Sequence, residues 1–136
     1  MSWAKSLIRL STYEAEVLQK RLAEVVDRRM AIEMRLAMLE AEGEAERLFA
    51  PGETEAVMYS ASFREGLKLR KAKVQSEIDV ILIEERGARD ALAEAFEAQK
   101  KYEHIAETIA VGERKEQGRR EAAQLDELGL RRAAGR

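Results

Sequence analysis

The side chains that could do chemistry are few. The chain has one His, His104, and no Cys. That leaves no thiol nucleophile, disulfide framework or zinc knuckle, and a lone His builds no His-based metal site. The adjacent carboxylates Glu84 and Glu85 could divide acid and base roles only inside a pocket that holds a substrate. Asp90 and Glu94 lie one helical turn apart and could cage a metal only with ligands from further helices. There is no Gly-rich phosphate loop, no HExxH and no Ser, His and Asp set in a plausible order. The expectation is a protein that is not an enzyme and has no catalytic residue, metal or cofactor.

The elements that would position any site are helices. Of 136 residues, 37% are charged, 46% are hydrophobic and only 5% are aromatic, with 8 Gly and one Pro, Pro51. Such a composition reads as long helix or coiled coil. It lacks the turn residues and β-branched runs of a sandwich or barrel. It is too apolar, at a net charge of −2, for a disordered chain. No apolar run is long enough to span a membrane, and Met1 to Leu10 lacks the apolar core of a secretory signal. Near-balanced charge gives no reason to expect nucleic acid. The expected location is cytoplasmic, without membrane insertion.

Pro51-Gly52 marks the one strong turn. The predicted architecture is all-α: a single antiparallel two-helix coiled-coil hairpin over 1–136. Helix 1 covers about 4–48, the turn about 49–57 and helix 2 about 58–128, with a frayed tail at 129–136. Capping-box spacing at Ser11/Glu14 and Ser62/Glu65 offers competing helix starts. Helix 1 places Ile8, Ala15, Leu22, Arg29 and Leu36 at one seam position. Ala4, Ser11, Leu18, Val25, Ile32 and Leu39 take the other. Helix 2 does the same with Lys71, Ile78, Glu85, Leu92, Gln99 and Ala106, and with Leu67, Val74, Ile81, Ala88, Ala95, Tyr102 and Ile109. This alternating 3-4 spacing is a coiled-coil seam.

An antiparallel register then sets Leu36 against Val74, Leu22 against Ala88, Leu18 against Leu92 and Ser11 against Gln99. The seam charges Arg29 and Glu85 fall one layer apart on opposite helices. They could pair and fix the register, or both could snorkel to water. At about 1.5 Å per residue the helices measure about 65 and about 100 Å, so helix 2 overhangs, beginning where its seam fails after Ile109.

Three off-seam patterns suggest contacts. Met30, Met34 and Met38 form a stripe suited to an adaptable partner or to self-association. Phe49, Met58, Tyr59 and Phe63 cluster at a turn end made acidic by Glu40, Glu42, Glu44, Glu46, Glu53 and Glu55, with only Arg47 against them. The other end carries Lys5, Arg9, Arg114, Lys115, Arg119, Arg120, Arg131, Arg132 and Arg136, diluted by Glu113, Glu116, Glu121, Asp126 and Glu127. The ordinary reading of such charge runs is a solvated helix face.

Some segments resemble a known family. Lys5-Ser6-Leu7-Ile8-Arg9-Leu10 leads into Tyr13-Glu14-Ala15-Glu16. Tyr59 precedes Phe63-Arg64-Glu65-Gly66-Leu67, and Gln99-Lys100-Lys101-Tyr102-Glu103 precedes Arg120-Glu121 and Gln124-Leu125-Asp126-Glu127. In order, spacing and total length these resemble the flagellar export protein FliJ family over nearly the whole chain. The resemblance implies a coiled-coil stalk similar to the central stalk of rotary ATPases, cytoplasmic and peripheral at the base of the flagellum. Its implied partners are the export ATPase hexamer, the cytoplasmic domain of the export-gate membrane protein, and export chaperones. For the gate it implies Phe63, Leu67 and Arg70, where Arg70 departs from the small residue expected. Leu48 and Phe49 roughly replace the family's tyrosines. For the ATPase ring the candidates are Lys5, Arg9, Arg114, Lys115, Arg119, Arg120, Arg131 and Arg132. The alternative is a generic coiled coil that self-associates into a helical bundle through the Met stripe.

Overall fold

The computed structural model of the chain describes residues 2–48 and 54–135. They form two α-helices, α1 (Ser2–Leu48) and α2 (Thr54–Ala134). The turn expected at Pro51-Gly52 lies outside the described residues. Both helices are rich in Ala, Leu, Glu, Arg and Lys, which lose little side-chain entropy on coiling.

Three features of the sequence bear on the helix bounds. Ser11 lies inside α1 and caps nothing: its hydroxyl donates to the Ile8 carbonyl at 2.9 Å. α2 starts at Thr54, so Ser62 also lies within it and not at its start. At the far end α2 runs through Gly129 to Ala134. Gly there costs roughly 1 kcal/mol relative to Ala. Pairs one turn apart, Glu116–Arg120 at 3.5 Å and Glu127–Arg131 at 3.0 Å, support that part of the helix.

Contacts group the chain into two compact units, where the sequence suggested one hairpin. Unit 1 is Met1–Ala15 with Glu94–Arg136, and unit 2 is Glu16–Ala93. Each contains a stretch of both helices running antiparallel. In unit 2 the ion-paired partner falls from Glu84 to Glu77 to Arg70 as α1 advances from Arg28 to Arg35 to Glu42. In unit 1 Gln99 Nε2 donates to Thr12 Oγ1 at 3.2 Å. Ala4, Lys5 and Ile8 there share a groove with Glu103, Ala106 and Ile109. Gln99 therefore finds Thr12, the neighbour of the Ser11 expected opposite it.

The core is the seam. Ala4, Ser11 and Ala15 are buried in unit 1, and Val25, Leu67, Val74, Ile78, Ile81, Glu85 and Ala88 in unit 2. Every other seam residue up to Ile109 is half-buried. Burying a Val or Ile side chain yields about 1.5–3 kcal/mol, so a few such layers offset much of the ordering cost. From Gly112 through Gly135 every residue is exposed. This stretch of α2 is the overhang, held by its own backbone hydrogen bonds.

Candidate functional site

In unit 2 the first turns of α2 face the last turns of α1. Leu67 is only 5% exposed and belongs to the core. It reaches that depth because its partner is Gly43: a Cβ on Gly43 would stand 2.6 Å from Leu67 Cδ2. Phe63, one turn earlier, is half-buried. The Arg70 guanidinium lies 5.9 Å from its ring centroid, within cation–π range, and Arg70 Nη1 also stands 3.7 Å from Glu42 Oε2. Thus of the three residues at i, i+4 and i+7, one is core, one is partly open and one bridges it to α1. Leu48 is 75% exposed, as Met58 and Tyr59 largely are. Phe49 lies outside the described residues.

The glutamates of this part of α1 do not stand alone. Glu40 and Glu44 share a shallow groove with Arg47, Arg64, Lys68 and Lys71. The count that left Arg47 as the one cation beside these glutamates is corrected: Arg64, Lys68 and Lys71 of α2 line the same groove, and Arg70 pairs with Glu42. They were invisible to a count along α1 because the neutralising charge arrives across the seam. A second groove of about 350 Å³ is lined by Arg35, Met38, Leu39, Arg70, Lys73 and Val74. Met30, Met34 and Met38 are all more than half exposed.

Deeper in unit 2, Arg29 and Glu85 meet. Arg29 Nε donates to Glu85 Oε1 at 3.0 Å and Arg29 Nη1 to Glu33 Oε1 at 2.9 Å. These hydrogen bonds, first to Glu33 and then to Glu85, raise the Arg29 pKa further above its ordinary value. The group is a permanent cation, and with two of its donors engaged by carboxylates it tolerates a half-buried place in the seam.

In unit 1 the candidate cations fall into two sets. Arg114 pairs with Glu107 at 3.4 Å, while Arg120 and Arg131 pair with glutamates one turn away. Lys5, Arg9, Lys115, Arg119 and Arg132 are exposed and make no ion pair among the described residues. The outward face of α1 here also exposes Trp3, Leu10 and Tyr13. Trp3 and Tyr13 were missed by sequence reasoning; their positions outside the heptad seam were the signal that could have found them.

Among the described residues no group of three or more His, Cys, Asp or Glu side chains is placed to hold a metal ion. None of the helices is long and apolar enough to cross a membrane.

No family model matches the chain, and no solved structure matches it. Two curated proteins do, each described as a flagellar FliJ protein, from Caulobacter vibrioides strains NA1000 and CB 15. Each is 54% identical over 132 residues, covering 97% of this chain and 95% of the relative.

Proposed function

The chain belongs to the flagellar FliJ family, and from that premise we propose that it is a non-enzymatic stalk of the flagellar protein export apparatus. In this reading unit 1 engages the export ATPase hexamer. The observation that carries it is the stretch from Gly112 to Ala134, helical throughout and exposed throughout. A helix of this length keeps no packed face of its own, and isolated helices gain most of their stability from such packing. The free cations Lys115, Arg119 and Arg132, with Lys5 and Arg9 on α1, supply charge for an acidic surface. Arg114, Arg120 and Arg131 could join them by exchanging their exposed, weak pairs.

The export gate is the proposed partner of unit 2. Phe63, Arg70 and Leu48 would touch it, with Leu67 supporting Phe63 from the core. Phe49 is carried in the same group by sequence position. Export chaperones are proposed as further partners, and the proposed location is cytoplasmic, peripheral at the flagellar base.

The test is steady-state ATP hydrolysis by the cognate export ATPase with and without the protein. Stimulation is expected from the full chain and its loss from a chain ending at Val111. No stimulation by the full chain, and no change in ring assembly, would overturn the stalk reading.

The exposed Met stripe favours the second reading, self-association into a bundle. A stable interface needs about 800 Å² and roughly 20–30 residues per partner, which three side chains do not supply. A concentration-independent dimer in sedimentation would reverse that preference.

A further inference from the structure

Unit 2 carries two sets of charges across its helix pair. One is a node at the seam: Arg29 with Glu85 and Glu33, and Arg89 Nη2 3.8 Å from Glu85 Oε1. The other is a row along one flank at heptad intervals. It consists of Arg28 with Glu84, Arg35 Nη1 with Glu77 Oε2 at 3.0 Å, and Glu42 with Arg70 at 3.7 Å. The Arg35–Glu77 contact is a charge contact and not an aligned hydrogen bond. Along this row α1 reads Arg, Arg, Glu, and α2 reads Glu, Glu, Arg. We infer that this reversal of sign, together with the node, is a register lock that stops α1 and α2 from sliding past each other by a heptad.

Apart from the seat of Leu67 on Gly43, apolar layers alone do not forbid the slide. Leu, Ile and Val recur every seven residues, so a heptad seam shifted by one repeat again meets a heptad seam. The ends of the helices do not forbid it either. Leu48 on α1 and Val57, Met58 and Tyr59 on α2 are exposed, so unwinding a turn or two there forfeits little burial. The charges do forbid it. Shifted one way, Arg28 meets Ala91, Glu42 meets Glu77, and Glu85 lies beside Leu36. Shifted the other way, Arg35 meets Arg70 and Glu85 lies beside Leu22. Both shifts part Arg29 from Glu85 and leave each with only its same-helix partner, Glu33 or Arg89, which weakens the node, and both turn one attraction of the row into a repulsion. A uniform row, with all Arg on one helix and all Glu on the other, would lack that second penalty. A hairpin held in one register passes an axial displacement along unit 2 without internal slip. The stalk reading would use this property, and the lock does not depend on it.

Double electron–electron resonance reads the register directly, and the chain has no native Cys to remove. Spin labels at Lys20→Cys and Lys68→Cys would lie about 35 Å apart along the axis, and a heptad slip changes that by about 10 Å. The labelled wild type should give one distance. Two variants are then compared, each carrying Arg29→Leu and Glu85→Leu to remove the node. Glu42→Arg with Arg70→Glu makes the row uniform and should give a second distance. Arg35→Glu with Glu77→Arg keeps every pair and keeps a reversal, and should give one. Two distances in the wild type, or the same distribution in both variants, would overturn the lock. If circular dichroism shows that the node-free background is not helical, the two swaps are compared in the wild-type chain. There a distribution no broader for the 42/70 swap than for the 35/77 swap overturns it. ATPase stimulation, measured separately, tests the stalk reading and has no bearing on this result.

Discussion

Replacing Gly43 by Ala adds one methyl group on the inward side of α1. Two effects of opposite sign follow. Ala is better than Gly inside a helix by roughly 1 kcal/mol, because the unfolded chain has less freedom to lose. Against that, the new Cβ would stand 2.6 Å from Leu67 Cδ2, whereas carbon atoms rest at about 3.5–4.0 Å. The Leu67 methyl must therefore retreat by about 1 Å. Leu67 is buried, and overpacking of this kind costs about 1–3 kcal/mol. The expected net effect is a destabilisation of up to about 2 kcal/mol. The decisive measurement is a double-mutant cycle with Leu67→Ala, followed by urea unfolding of the helical signal. Leu67→Ala alone should cost about 2–5 kcal/mol. In that background the clash is gone, so Gly43→Ala should stabilise by about 1 kcal/mol, with the denaturant slope unchanged. The sign of the Gly43 substitution thus depends on Leu67. If Gly43→Ala has the same sign in both backgrounds, with coupling under about 0.5 kcal/mol, the close approach described here is wrong.

Arg29→Leu and Glu85→Leu should each lower the melting temperature, and the double variant should recover part of the loss, because a single substitution strands a charge in the seam. A double variant less stable than both singles would contradict this. Arg29→Lys should also lower the melting temperature, since one ammonium cannot reproduce a guanidinium that spans Glu33 and Glu85; equal melting would count against the two-partner geometry. Ending the chain at Val111 should reduce the helical signal in proportion to the residues lost and leave the hairpin's melting temperature unchanged. A lower melting temperature would mean that the exposed part of α2 supports the hairpin after all. Arg70→Ala should cost under about 1 kcal/mol and expose Phe63, seen as stronger binding of a hydrophobic dye.

The heptad phase was legible from the chain alone. Each seam position assigned from Ala4 to Leu39 and from Leu67 to Ile109 is buried or half-buried, because a 3-4 repeat of apolar residues has only one way to hide. The overhang was legible for the same reason, as the place where that repeat ends. What could not be read was anything that depends on the second helix's flank. The glutamates before the turn looked like an acidic patch until Arg64, Lys68, Arg70 and Lys71 were seen beside them. The depth of Leu67 depends on the absence of a side chain at Gly43, and a missing Cβ leaves no mark in an apolar pattern. The capping-box spacing at Ser11 and Ser62 offered only competing starts, because the same spacing fits a helix interior, where Ser11 bonds back to Ile8.

The disposition of charge separates two roles that composition merges. In unit 2 Arg28, Arg29, Arg35 and Arg70 are answered by glutamates of the other helix, and the flank pairs recur at heptad intervals. Exposed pairs of this kind add little stability individually, so their value lies in the arrangements they disfavour. In unit 1, after Val111, no second helix answers the charges. Arg114 reaches back two turns to Glu107, Arg120 and Arg131 pair one turn away, and Lys115, Arg119 and Arg132 stay unpaired among the described residues. Charge already committed within the chain can act on a partner only by exchange, while unanswered charge acts at once and at a distance set by the Debye length, about 10 Å at 0.1 M salt. If unit 1 engages an acidic surface as proposed, the strength of that contact should fall with salt. The contact proposed at Phe63 and Leu48 would rest on apolar burial, and salt should leave it nearly unchanged.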